Sequence, residues 1–91
     1  MVDYSEQAIA DLETIRSRIA LDNSRIATQK SAMLLGTCQL LDSFPDIGAV
    51  YSDPIRQFTK ELWVILYRPT ETGVYIYRVF DSRQDWRSLL L

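Results

Sequence analysis

Two kinds of hydrophobic spacing divide the chain. In the first half, apolar residues recur at intervals of three and four: Ile9, Leu12, Ile15 and Ile19, then Ile26, Met33, Leu34, Cys38 and Leu41. This is the stripe of an amphipathic helix. Ser5 is placed to cap the first helix, because its hydroxyl can accept from an otherwise unpaired backbone N–H, and the helix is predicted over Glu6–Leu21. Glu13 with Arg16, and Asp11 with Arg18, read as a solvated opposite face. Asp22-Asn23-Ser24 interrupts the stripe and offers new caps, so a second helix is predicted to end near Ser43 and to fold back as a hairpin. Gly36 inside it costs roughly 1 kcal/mol against alanine, which close packing on helix 1 or the sheet would explain.

The second half changes period. Phe44-Pro45-Asp46-Ile47-Gly48 reads as a turn and Asp53-Pro54 as a further break. Strands are predicted over Ile55–Thr59, Leu62–Tyr67 and Val74–Phe80, with Val2–Tyr4 as a short edge strand. Leu62–Tyr67 is apolar on both faces, as a central strand is. Strict alternation in the last strand puts Val74, Ile76, Arg78 and Phe80 on one face and Tyr75, Tyr77 and Val79 on the other. The expected architecture is α+β: one domain over residues 1–91, with an N-terminal helical hairpin packed on a small antiparallel β-sheet.

Composition removes several kinds of chemistry. The chain has 91 residues, 47% of them hydrophobic and 24% charged, an ordinary globular balance. One cysteine excludes an internal disulfide and a Cys-rich zinc site; Cys38 falls in the apolar pattern and reads as core. There is no histidine, so the side chain most used for proton transfer near neutral pH is missing. No run is apolar enough for a leader or a membrane span, and a cytoplasmic protein is expected. The net charge of −2 argues against broad nucleic-acid binding. It divides unevenly: residues 1–50 carry four basic and seven acidic side chains, residues 51–91 six and five.

Several landmarks in order resemble the ParE-like branch of the RelE/ParE toxin superfamily of type II toxin–antitoxin pairs. Ala8, Asp11, Leu12 and Ile15 match its A-x-x-D-L-x-x-I helix, and Leu41 through Gly48 match its L-x-x-F-P-x-x-G turn. Ile55-Arg56-Gln57-Phe58 lies where the family carries an Arg-containing strand. Val64-Ile65-Leu66-Tyr67-Arg68 matches the V-I-x-Y-R strand, and Val74, Ile76, Arg78 and Val79 the V-x-I-x-R-V strand. Many relatives continue as R-V-x-H-x-R-R-D-W. This chain has Asp81 in place of the His and Gln84 in place of one Arg, while Arg78, Arg83, Asp85 and Trp86 are kept. The exchange removes a proton donor and lowers the local positive charge.

The resemblance implies a toxin that inhibits DNA gyrase without bond chemistry of its own, neutralised by a cognate antitoxin whose C-terminal segment folds across the groove between hairpin and sheet. Arg56, Arg68, Arg78, Arg83 and Trp86 are then the expected target-binding residues, with no catalytic residue, metal or cofactor. The alternative is a ribosome-dependent mRNA endoribonuclease of the RelE type, using the same arginines on phosphate and Tyr77 or Asp81 in proton transfer. A third reading is a degenerate member that keeps only the antitoxin-binding groove. Against each arginine stands the plain reading of solvated surface charge. Arg78 interrupts an apolar strand and needs a partner, internal carboxylate or ligand. Trp86 either clamps the tail onto the sheet or anchors a partner.

Overall fold

The computed structural model describes residues 1–90. Its elements are β1 (Val2–Tyr4), α1 (Glu6–Asp22), α2 (Ser24–Ser43), β2 (Ala49–Ser52), β3 (Ile55–Lys60), β4 (Trp63–Thr70) and β5 (Gly73–Asp81). A short 3-10 turn, Ser88–Leu90, closes the described chain. The five strands form one sheet in the order β1-β5-β4-β3-β2, and both helices pack on one face. The sheet is mixed where an antiparallel one was expected: β1 runs parallel to β5, with Val2 opposite Val74 and Tyr4 opposite Ile76.

Local chemistry sets the helix ends. The Ser5 hydroxyl accepts from Ala8 N–H at 2.9 Å and donates to the Tyr77 carbonyl at 2.6 Å, so the α1 cap also ties the helix to β5. Asn23 alone separates the helices. Its N–H donates to the Ile19 carbonyl, ending α1, and its side-chain oxygen accepts from Arg25 and Ile26 N–H, starting α2. One residue doing both makes the hairpin tight.

The principal core lies between hairpin and sheet: Ala8, Leu34, Cys38 and Leu41 meet Ile65, Tyr67, Val74, Ile76 and Val79. Cys38 is fully buried, as its pattern implied. On α1 the most buried position is Ala8; Leu12, Ile15 and Ile19 pack at its margin, and Ile9 is exposed. A small side chain at position 8 lets the helix approach β5 closely. A second cluster, Val64, Leu66, Phe80 and Trp86, covers the opposite sheet face.

Three readings are corrected. Strict alternation along β5 fails because the β4–β5 register shifts between Leu66 and Tyr67: Leu66 pairs with Arg78 and Tyr67 with Ile76, leaving Tyr77 as an extra residue. This bulge resets the faces. Val74, Ile76 and Val79 join the hairpin-side core, and Phe80 joins the other cluster. Asp11, read as solvated, instead holds an ion pair with Arg78. Gly36 faces open space, where an added Cβ would meet nothing within 4 Å, so packing does not explain it.

Candidate functional site

The arginines and the tail define the site to be tested. Where β1 ends, the outer edge of β5 would be bare, and α1 covers it. The Asp11 carboxylate accepts from Arg78 Nε at 2.8 Å, Arg78 Nη2 at 3.0 Å and Val79 N–H at 2.9 Å. One side chain thus satisfies a strand-edge amide and a guanidinium together. The hydrogen bonds to Asp11 outweigh the cost of burial and hold Arg78 firmly protonated. Its guanidinium also lies 4.5 Å from the Phe80 ring centroid.

Beyond β5 the chain turns back on itself at Asp81. That carboxylate accepts from Arg83 N–H at 2.9 Å, Arg83 Nε at 3.1 Å and Arg83 Nη2 at 2.8 Å. The Arg83 hydrogen bonds hold the Asp81 carboxyl below the usual carboxylate range. At the position where the resemblance led one to expect a His, this chain carries an ion pair. Arg83 remains largely exposed.

Asp11–Arg78 and Asp81–Arg83 line a cleft of about 430 Å³ between α1 and the tail. Ile15, Ile19 and Leu89 give it apolar walls, and Arg18 and Asp22 complete its charges. Arg18, Arg78 and Arg83 face Asp11, Asp22 and Asp81, three of each sign, so no net field draws in a polyanion. Arg18 makes no ion pair among the described residues.

The other expected site residues lie elsewhere. Arg56 braces the turn after α2, donating to the carbonyls of Gly48 at 2.7 Å and Asp46 at 3.3 Å. Arg68 donates through Nε to the Tyr77 hydroxyl at 2.8 Å and lies 5.4 Å from the Tyr75 ring centroid. Trp86 is buried, 5.9 Å from Phe80 in a stacked arrangement and 5.7 Å from Tyr51. It clamps the tail to the sheet. Of the five residues, only Arg78 and Arg83 share a cleft. Asp11 and Arg18 belong to that cleft and were missed; Asp11 stands in the quoted helix motif, but its spacing from Arg18 suited a surface pair equally well.

A second recess of about 410 Å³ runs between the two helices, floored by Ile9, Leu12, Ala32, Leu34 and Leu35 and rimmed by Glu13 and Arg16. Among the described residues no group of three His, Cys, Asp or Glu side chains is placed to hold a metal ion. No described helix is long and apolar enough to cross a membrane.

Two helices on a five-stranded mixed sheet is the fold of a solved structure of the chromosomal ParDE TA system from P. aeruginosa. The match has a TM-score of 0.75 and 19% sequence identity, over 88% of this chain and 92% of that one. At that identity the likeness establishes the fold. The family model for the ParE toxin of the type II toxin-antitoxin system, parDE, matches residues 2–86. The chain belongs to the ParE toxin family. Curated proteins give no match.

Proposed function

We propose that this ParE-family protein inhibits DNA gyrase by binding it, with no bond chemistry of its own, and that a cognate antitoxin neutralises it. The observation that carries the reading is the Asp81–Arg83 pair. A carboxylate held ionised by a neighbouring guanidinium is a poor proton donor at neutral pH, and the chain has no histidine to replace it. Arg78 and Arg56 are likewise engaged within the molecule, which suits shaping a surface better than clamping a phosphoryl group. Arg83 is the most exposed of the ion-paired arginines and the first we assign to target contact. The apolar recess between the helices is where an antitoxin segment would bury its own apolar face.

One cluster favours the ribonuclease alternative. Arg68 stands against the Tyr75 ring and Tyr77 hydroxyl with no carboxylate within ion-pair distance among the described residues, and such a set suits a splayed-out base. A single comparison separates the two. Purified protein is incubated with gyrase, supercoiled plasmid and ATP, and in parallel with translating ribosomes. Cleaved DNA that accumulates in trapped complexes, and is relieved by the antitoxin, supports gyrase poisoning. Cut mRNA with intact plasmid overturns it in favour of the ribonuclease, and neither effect leaves a non-toxic antitoxin-binding protein.

A further inference from the structure

From Arg83 to Leu89 the tail bonds to itself. Gln84 N–H donates to the Asp81 carbonyl, Ser88 N–H to that of Asp85 and Leu89 N–H to that of Trp86. Among the described residues no hydrogen bond of this segment reaches past Asp81. The Trp86 indole seats it instead. That ring is 5% exposed, stacked on Phe80 with the planes 19° apart, and flanked by Tyr51 from β2. The next residue, Arg87, is exposed, and its guanidinium lies over the indole, 4.3 Å from the ring centroid. It covers Trp86 from the solvent side.

Arg87 differs from the other arginines of the strand half. Arg56, Arg78 and Arg83 each face a carboxylate, and Arg68 donates through Nε to the Tyr77 hydroxyl. Among the described residues Arg87 has no carboxylate partner. Its near acid, Asp85, accepts from the Ser88 hydroxyl. A guanidinium on an indole can serve only as cover for the ring. Two features point further. The contact orders a long side chain before any partner arrives, which lowers the entropy lost on binding. The fork of N–H donors is also left unused beside Trp86 and Tyr51, and Trp, Tyr and Arg are the residue types that dominate binding hot spots.

The fork selects its ligand by shape: planar and bidentate, it fits the paired oxygens of a carboxylate or a phosphate. Charge decides between them. Asp81, Arg83, Asp85 and Arg87 are the only charges from Asp81 to Leu89, two of each sign, and the whole chain carries −2. Nucleic-acid binding draws on several cations acting together, and the tail has no such excess. A single carboxylate on a protein surface needs only the one fork. We propose that Arg87, set on Trp86, is a second target-contact residue in addition to Arg83, and that it receives a carboxylate from the surface of the protein this toxin inhibits. The inference rests on the reading that the protein acts by binding its target, and it makes Trp86 a positioning residue that works through Arg87.

The test uses the full chain with purified gyrase and with plasmid DNA, each binding measured separately, for wild type, Arg87→Ala, Arg87→Lys and Arg87→Glu. Arg87→Ala should weaken binding to gyrase about 10- to 30-fold. Arg87→Lys should lose nearly as much, because an ammonium has the charge without the planar fork, and Arg87→Glu should bind more weakly than either. The lysine variant keeps a cation near the indole and should melt within about 3 °C of wild type. In the free protein the Arg87 Nε–H resonance should lie upfield of an unstructured arginine's, shifted by the indole ring. Binding to plasmid alone should not change. Gyrase binding unaltered in Arg87→Lys, an unshifted Nε–H resonance, or an equal loss of plasmid binding would each overturn the proposal, the last by assigning the fork to phosphate. Wild-type protein that does not bind gyrase is a separate result, and sinks the gyrase reading alone. Growth arrest in cells then decides: arrest lost in Arg87→Lys at a wild-type Tm supports contact with another target, and arrest retained there, or absent from the wild type, overturns the proposal.

Discussion

Replacing Asp11 with alanine removes the one carboxylate that serves both the edge of β5 and Arg78. The Arg78 guanidinium, with 20% of its side chain exposed, loses two hydrogen bonds, and Val79 N–H loses its acceptor. A hydrogen bond to a charged group is worth about 1.5–3 kcal/mol, and removing one partner of a fully buried ion pair costs about 3–5 kcal/mol. Water in the cleft can reach part of the guanidinium, so the expected loss is lower, about 2–3 kcal/mol. For a domain of this size that is a fall in Tm of about 10–20 °C. Arg78→Met alone should cost less, because Asp11 still accepts from Val79 and a methionine keeps a contact with Phe80. The double variant Asp11→Leu, Arg78→Met leaves no uncompensated charge and should regain at least ~1 kcal/mol over Asp11→Ala. Urea unfolding followed by circular dichroism measures all of them. A loss below ~0.5 kcal/mol for Asp11→Ala, or a double variant no better than the single, would show that the pair does not brace the strand edge.

The remaining predictions concern separate parts of the molecule. Burial pushes the Cys38 thiol up to about 11 from an ordinary 9.0, with its Tyr4 hydrogen bond opposing, so the native protein should resist maleimide at pH 8 and react only on unfolding. Because the folded value is the higher one, stability should hold below pH ~9 and then fall by about 1.4 kcal/mol per pH unit until pH ~11; a flat profile to that point refutes the assignment. Gly36→Ala should raise stability by roughly 0.5–1 kcal/mol in a thermal melt, since the added methyl meets nothing. Trp86→Ala should cost about 3 kcal/mol and loosen the tail, seen as faster proteolysis after Asp81. Arg83→Ala should leave the Tm unchanged, because an exposed pair adds little, so a loss of growth arrest in cells expressing it would read as lost target contact.

Where sequence reading succeeded, a local rule governed. Helix periodicity and the Ser5 and Asn23 caps placed the hairpin, and β3 and β5, within a residue or two, while β4 runs three residues past its predicted end at Tyr67, through Arg68, Pro69 and Thr70, because backbone pairing with β5 continues where the apolar run stops. β2 went unseen because four exposed residues flanked by turns carry no alternation to detect. The β5 faces were misassigned because a bulge depends on the partner strand's register, not on β5's own residues. The site suffered from the same gap. Each arginine was visible, but which carboxylate holds it depends on contacts such as Asp11 to Arg78, 67 residues apart. Trp86 is the counterexample: both roles were legible, and only the Phe80 and Tyr51 rings decide between them.

The first strand of the chain pairs with the last. Val2 lies beside Val74, Ser5 binds the carbonyls of Ile76 and Tyr77, and Asp11 reaches Arg78. During synthesis the helical hairpin can form early from contacts close in sequence, yet neither β1 nor the edge of β5 acquires its partner until β5 has left the ribosome. A chain stalled or truncated before Val74 has no cleft, no complete sheet and no seat for its tail. The consequence is one of timing: until β5 has emerged the chain offers a hairpin and a partial sheet, and neither the α1–tail cleft nor the seat of Trp86 against Phe80 exists.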